Sequence, residues 1–216
     1  MSSDRGGLAA AMRRIAFVLK LTGDRAAQLD AVRAMRGDFE AACAREGVSN
    51  FSVWHIQQYL FGYGETENGD MRALDGVLAR LPEGVELVCA PGSMRLMYHD
   101  IGIVRADKQL IRHRVFATRI KPGCADEYKR RHDALVAARG GRATEGPESD
   151  FTIWYGDGHI FGYCELVRAM ADVEPTPEQK AANAAWETRQ LEIMDWLTDD
   201  VDWLTGEEHP KVERLL

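Results

Sequence analysis

The spacing of hydrophobic and polar positions predicts strands and helices in a regular order along the first half of the chain. Residues 14–21 are rich in β-branched and aromatic side chains, which favours a strand. Residues 25–46 carry apolar side chains at helical spacing and predict a helix, with a kink at Gly37. Segments 51–55 and 59–65 flank the turn residues Ile56-Gln57-Gln58 and predict the two strands of a hairpin.

The same pattern returns about one hundred residues later. Segment 51–65 aligns without gaps on segment 151–165, and six of the fifteen positions are identical. A long-period repeat of this kind indicates two copies of one structural unit. We therefore expect a disordered start at 1–13, a first unit at 14–104 and a second unit at 112–216.

The pattern after each hairpin predicts how each unit ends. Second helices are expected at about 70–81 and at 177–197. In the first unit, a strand at 95–100 is predicted to close the sheet. In the second unit only 211–216 is available for the corresponding strand, which is therefore expected to be short or missing.

The resulting element order, β-α-β-β-α-β, predicts an α+β fold of the ferredoxin-like type, with an antiparallel sheet and both helices on one face. The other face of such a sheet is bare, and burying it against a second copy is the simplest solution. We therefore expect the two units to pack sheet to sheet as an intramolecular dimeric α/β barrel. The chain would be a monomer acting as a pseudo-dimer, or a homodimer, and its function would lie in a cavity between the sheets.

Composition narrows the class of protein. The chain has 216 residues, is 45% hydrophobic and 28% charged, and carries a formal net charge of −7. No apolar run approaches the roughly 20 residues that cross a bilayer, so we expect no membrane span. The acidic balance argues against nucleic-acid binding. The four cysteines and six histidines lack ligand or disulfide spacing, so we expect a cytoplasmic protein with no metal.

The segment with the clearest chemical potential begins the first helix of the second unit. Tyr128 and His132 are four residues apart and therefore lie on one helix face. Histidine exchanges protons near neutral pH, which suits it to acid–base catalysis. The flanking Lys129, Arg130 and Arg131 should favour its neutral form. A half-buried packing pair is the alternative interpretation.

This segment carries a family resemblance. The run Glu127-Tyr-Lys-Arg-Arg-His132 follows a strand that ends at Ile120-Lys-Pro-Gly123 and precedes the strand Phe151-Thr-Ile-Trp-Tyr155. Over roughly residues 112–196 the chain resembles the L-rhamnose mutarotase family. The resemblance implies a small α/β-barrel enzyme that interconverts the anomers of a sugar and uses no cofactor.

The resemblance also implies roles for individual residues. The catalytic tyrosine and histidine of the family fall on Tyr128 and His132. The tryptophan pair of the family is represented by Trp186, which is followed by Glu187 instead of a second tryptophan.

Substrate contacts complete the predicted site. Trp186, together with Trp154 or Tyr155, would offer flat walls to a sugar, and Arg131 would bind the substrate. Because side chains alternate along a strand, only one of Trp154 and Tyr155 can face the site.

The first unit resembles the same fold over about 14–100 but holds Gln28 and Val32 at the tyrosine and histidine positions. It therefore lacks the proton-transfer groups, and we expect one site per chain, which takes a small molecule. Two alternatives to a mutarotase stay open. One is a cofactor-free cyclase, isomerase or lyase of a biosynthetic pathway, and the other is a non-catalytic small-molecule-binding protein.

Overall fold

The computed structural model describes residues 12–67, 72–102, 104, 108, 111–144, 148–167, 176–197 and 211–216. The chain divides into two compact units, Met1–Met94 with Glu213–Leu216 (unit 1) and Arg95–Val212 (unit 2). Most of the predicted disordered start lies outside the described residues, and Arg13 already belongs to the first strand. In the described part of the chain, no helix is both long and apolar enough to cross a membrane.

Strands and helices alternate in both units. In chain order they are β1 (Arg13–Leu21), α1 (Arg25–Ala34), α2 (Arg36–Glu46), β2 (Val48–Ile56), β3 (Tyr59–Thr66), α3 (Arg72–Leu78), β4 (Val85–Cys89), β5 (Arg95–Asp100), β6 (Ile111–Ile120), α4 (Ala125–Ala138), β7 (Glu148–Gly156), β8 (His159–Val167), α5 (Pro177–Gln190), β9 (Met194–Trp196) and β10 (Glu213–Arg214).

Each unit contains an antiparallel five-stranded sheet, which confirms the predicted α+β class. The strand orders are β10-β2-β3-β1-β4 and β5-β7-β8-β6-β9. The two hairpins share one register: Ser52 pairs with Tyr63, and Thr152 pairs with Tyr163. The packing of one sheet on the other stays a prediction.

The strands that close the two sheets differ from the prediction. The strand at 95–100 exists, but it pairs with β7 in unit 2, where Asp100 lies opposite Phe151. Unit 1 instead uses β4 beside β1, and β10 pairs with β2. Unit 2 closes with β9, which pairs with β6 inside the segment that was predicted to be helical up to residue 197. A strand of three residues is too short to show a period, so the sequence pattern could not separate it from the helix.

The first predicted helix is two helices. The break lies at Met35 and not at Gly37, which sits inside α2. Asp24 caps α1 by accepting a hydrogen bond from the Ala27 amide, and α2 ends at Gly47, whose φ of 64° suits glycine.

Glycines in β3 and β8 each make room for a phenylalanine ring. A Cβ atom at Gly62 would lie 2.1 Å from the ring of Phe17, and one at Gly162 would lie 2.1 Å from the ring of Phe116. The rings therefore lie directly against the neighbouring strand, which only glycine permits. In unit 2 this places Phe116 in the core that supports the candidate site.

Candidate active site

Helix α4 brings Tyr128 and His132 together on its buried face. Their side chains are 3% and 6% exposed, and their rings stack with centroids 4.3 Å apart. The Nδ1 atom of His132 lies 3.0 Å from the backbone oxygen of Tyr128. Since a carbonyl only accepts, Nδ1 carries the hydrogen and donates it, which leaves Nε2 as the acceptor of the neutral ring. Within the described residues, Nε2 has no hydrogen-bond partner.

Aromatic side chains from the sheet and from α5 surround the histidine. The ring centroids of Tyr98 and Trp186 each lie 5.3 Å from that of His132, and Trp186 meets it edge-on. Tyr128 also belongs to the core cluster that contains Phe116 and Ile153. The pair therefore lies between α4 and the sheet of its own unit, and not on the opposite sheet face where we expected the function to reside.

Burial sets the charge state of the histidine. It lowers the pKa of His132 to about 4, because the imidazolium would lose its hydration. Lys129 lowers this pKa only slightly, and the Tyr128 carbonyl opposes the shift. The expected neutral form is therefore present at pH 7, although its main cause is burial and not the flanking basic residues. Arg130 instead pairs with Glu127, at 2.7 Å.

The tyrosine is held neutral for two reasons. Burial raises the pKa of Tyr128, and the nearby carboxylate of Glu187 raises it further. Glu187 is 2% exposed on α5 and accepts a hydrogen bond from Nε1 of Trp196. Tyr128 is therefore a phenol that can donate its proton, beside an imidazole that can accept one.

Gln190, one turn beyond Glu187, adds an unexpected polar group. Its side chain is 1% exposed, and neither its nitrogen nor its oxygen has a hydrogen-bond partner among the described residues. Leaving buried amide groups unpaired costs free energy unless a ligand or water pairs them. Glu187, Gln190 and Trp196 were not predicted from the sequence as site residues. The polar i, i+3 pair on the buried side of α5 was the available signal.

Arg131 is a buried cation that joins α4 to the end of α5. Its guanidinium binds Glu127 at 2.7 Å and Glu192 at 2.8 Å, and it also donates to the backbone oxygen of Arg189. These bonds tie α4 to the end of α5. Substrate binding by Arg131 stays a prediction.

Strand alternation decides between the two aromatic residues of β7. Tyr155 packs against the core cluster that holds Tyr128. Trp154, 7% exposed, is its neighbour on the strand and points to the other face. Tyr155 is thus the one that lies on the side of the catalytic candidates.

Comparison with known proteins supports the resemblance for this part of the chain. The L-rhamnose mutarotase family matches residues 113–214. Nearly all of this match lies in unit 2. No curated protein matches the chain.

Two solved structures are similar in backbone. An anthrone oxidase-like protein is 13% identical, with 85% of this chain and 90% of that chain covered and a TM-score of 0.44. A putative monooxygenase from Fusobacterium nucleatum is 9% identical, with 92% of this chain and 98% of that chain covered and a TM-score of 0.43.

Unit 2 differs from unit 1 at the positions of the tyrosine and the histidine. Gln28 and Val32 are both buried, as are their counterparts Tyr128 and His132. The Gln28 side chain accepts a hydrogen bond from the Gly23 amide at 3.3 Å, so it serves the local structure. Of these two pairs of positions, the pair in unit 2 places a proton acceptor and a proton donor side by side, the combination that general acid–base catalysis uses.

Proposed function

We propose that unit 2 interconverts the anomers of a sugar or sugar-like hemiacetal, with His132 and Tyr128 as the proton-transfer pair. The observation that carries this proposal is the stacked pair itself. The Nδ1 atom of His132 is hydrogen-bonded to the Tyr128 carbonyl, so Nε2 is the ring nitrogen that can contact a substrate. The family match over residues 113–214 agrees with isomerase chemistry.

The reaction needs one proton acceptor and one proton donor. Nε2 of His132 takes the proton of the anomeric hydroxyl, the bond between the anomeric carbon and the ring oxygen breaks, and the Tyr128 hydroxyl protonates that oxygen. The open-chain aldehyde rotates and closes on its other face by the reverse transfers. Because the transient imidazolium and phenolate are stacked neighbours, their attraction offsets part of the burial cost of each charge.

Other side chains would hold the substrate. Trp186 and Tyr155 offer flat apolar surfaces, to which the C–H face of a sugar ring can pack. Gln190 can both donate to and accept from sugar hydroxyls, which would satisfy its two unpaired groups.

Exchange NMR tests this proposal directly. The full chain should accelerate exchange between the anomers of L-rhamnose or another free aldose. His132→Gln and Tyr128→Phe should each lower that acceleration by about a hundredfold or more, the usual contribution of a general acid or base. His99→Gln, an exposed histidine on β5, is the matched control and should leave the rate unchanged.

The outcomes separate three possibilities. No acceleration with any aldose would overturn the proposal. Acceleration that survives in His132→Gln would overturn the assignment of the base. A ligand whose affinity changes in His132→Gln, without any turnover, would indicate a binding protein.

A second candidate is a cofactor-free isomerase, cyclase or lyase that acts on a flatter, less polar substrate. The observation in its favour is the number of aromatic rings around the histidine: Tyr98 meets Phe151 edge-on, and Phe116 meets both Phe151 and Trp196 edge-on. Titration of the tryptophan fluorescence with sugars and with flat aromatic ligands distinguishes the two. Saturation by aromatic ligands only would favour this second candidate.

A further inference from the structure

Unit 1 contains a cavity of about 360 Å³ beside helix α2, separate from the residues of the proposed active site. Its volume falls within the range of pockets that bind small molecules. Phe39 and Phe51 form an apolar wall, with ring centroids 5.5 Å apart and planes 23° from parallel. Val48 and Leu216 add further apolar surface.

A difference in strand length explains why this cavity is open in unit 1. In unit 2 the edge strand β5 runs as far as Asp100, and its Tyr98 packs edge-on against Phe151 with centroids 5.4 Å apart. The counterpart of Phe151 is Phe51. The edge strand of unit 1, β10, pairs only with His55 and Trp54, so no β10 residue lies opposite Phe51.

Two arginines give the rim a positive charge. The guanidinium of Arg36 donates to the Leu215 carbonyl at 3.0 Å, and that of Arg214 donates to the Leu216 and Phe51 carbonyls at 2.8 and 3.3 Å. An arginine has five N–H groups, so each retains donors for a further partner.

The other ionisable side chains of the lining are one carboxylate and one thiol. Glu40 is the one carboxylate among the lining side chains, and its closest approach to Arg36 is 3.9 Å. Burial, aided by Glu40, raises the pKa of the Cys43 thiol to about 11, so that Cys43 is neutral at pH 7. The lining side chains therefore combine two cations and one anion with the apolar wall of Phe39 and Phe51.

We propose that this cavity binds a small carboxylate with an apolar body. The apolar body would lie against Phe39 and Phe51, and the carboxylate would bind the guanidinium groups of Arg36 and Arg214. A planar guanidinium suits a carboxylate because it can donate two parallel hydrogen bonds. The site would be independent of Tyr128 and His132 and would give unit 1 a ligand of its own.

Isothermal titration of the full chain with matched probes tests this inference. Octanoate and phenylpropanoate should bind, and the corresponding neutral amides should bind at least about tenfold more weakly, as expected for the loss of a charged hydrogen bond. Arg36→Gln should weaken carboxylate binding about tenfold and leave amide binding unchanged.

Two variants on α2 test whether the probes bind in the cavity or elsewhere on the surface. Ala44 lines the cavity, so Ala44→Phe should abolish binding of both probes. Ala41, which is exposed on α2 outside the lining, is the matched control, and Ala41→Phe should bind like the unmodified chain. Equal affinity for carboxylates and amides, binding that survives Ala44→Phe, or no binding at millimolar concentrations would each overturn the proposal.

Discussion

Burial keeps both Tyr128 and His132 in their neutral forms. The same loss of hydration lowers the pKa of His132 and raises the pKa of Tyr128, because the charged form is the cation for one and the anion for the other. Both side chains are therefore neutral at pH 7, and one accepts while the other donates.

The depressed pKa of His132 predicts how stability depends on pH. Between its ordinary pKa of 6.5 and its folded value of about 4, the unfolded chain binds a proton that the folded chain does not. This group therefore lowers the free energy of unfolding as pH falls through that range, by up to about 3 kcal/mol in total. Urea unfolding from pH 7 to pH 4 should show this component in the unmodified chain and in His99→Gln, and lose it in His132→Gln. Identical pH dependence in all three would contradict the buried neutral state.

Gln190 allows a test that separates stability from function. Because its buried amide is unpaired among the described residues, Gln190→Met should change the free energy of unfolding by less than about 1 kcal/mol or raise it. The same change should raise KM for the sugar about tenfold. Gln28→Met is the matched control in unit 1 and should cost stability, since Gln28 pairs with the Gly23 amide. A large loss of stability in Gln190→Met would show that its amide serves the fold.

At the scale of elements, the sequence predicted side-chain faces better than it predicted neighbours. The turn residues at 56–58 and 156–158 predicted both hairpins, and helical spacing placed Tyr128 and His132 on one face. Periodicity does not say which strand pairs with which, so the strand at 95–100 was placed in the wrong sheet. The Arg131 guanidinium is oriented by the Arg189 carbonyl and by Glu192, which are 58 and 61 residues away in sequence. No local sequence pattern predicts such contacts.

The glycine–phenylalanine contacts between strands yield a prediction at this scale. Gly162→Ala would place a methyl group 2.1 Å from the Phe116 ring and should cost about 1–3 kcal/mol of unfolding free energy, the usual penalty of overpacking. Phe116→Leu should relieve part of that cost, so the two changes should be strongly non-additive.

Gly37→Ala supplies the control for this effect. Gly37 lies inside α2, and a Cβ atom there would have nothing within 4 Å, so alanine should raise stability by about 0.5–1 kcal/mol. Urea unfolding of the single and double variants measures all of these values. Additive effects of Gly162→Ala and Phe116→Leu would mean that the ring does not restrict this position.

At the scale of the whole molecule, the end of the described chain completes the sheet of unit 1. Leu215 and Leu216 are 3% and 6% exposed within the core of that unit. The Val53 amide donates to the Leu216 carbonyl, and the Leu215 amide donates to the Val53 carbonyl at 2.7 Å. Bringing Leu215 and Leu216 to Val53, which is distant in sequence, costs loop-closure entropy before the pairing forms. We therefore expect unit 1 to complete its sheet slowly during folding.

Hydrogen exchange can locate the effect of this long-range closure. Replacing Leu215 and Leu216 by serine removes two apolar side chains from the core of unit 1 and should weaken the pairing of β10 with β2. Amide exchange in peptides that cover β2 should accelerate by at least about tenfold, whereas the equivalent strand β7, which pairs with β5, should keep its protection. Lys211→Ser, at an exposed position just before β10, is the control and should change neither strand. Equal acceleration in β2 and β7 would show that the two sheets open together, and the closure of unit 1 would then not be a separate step.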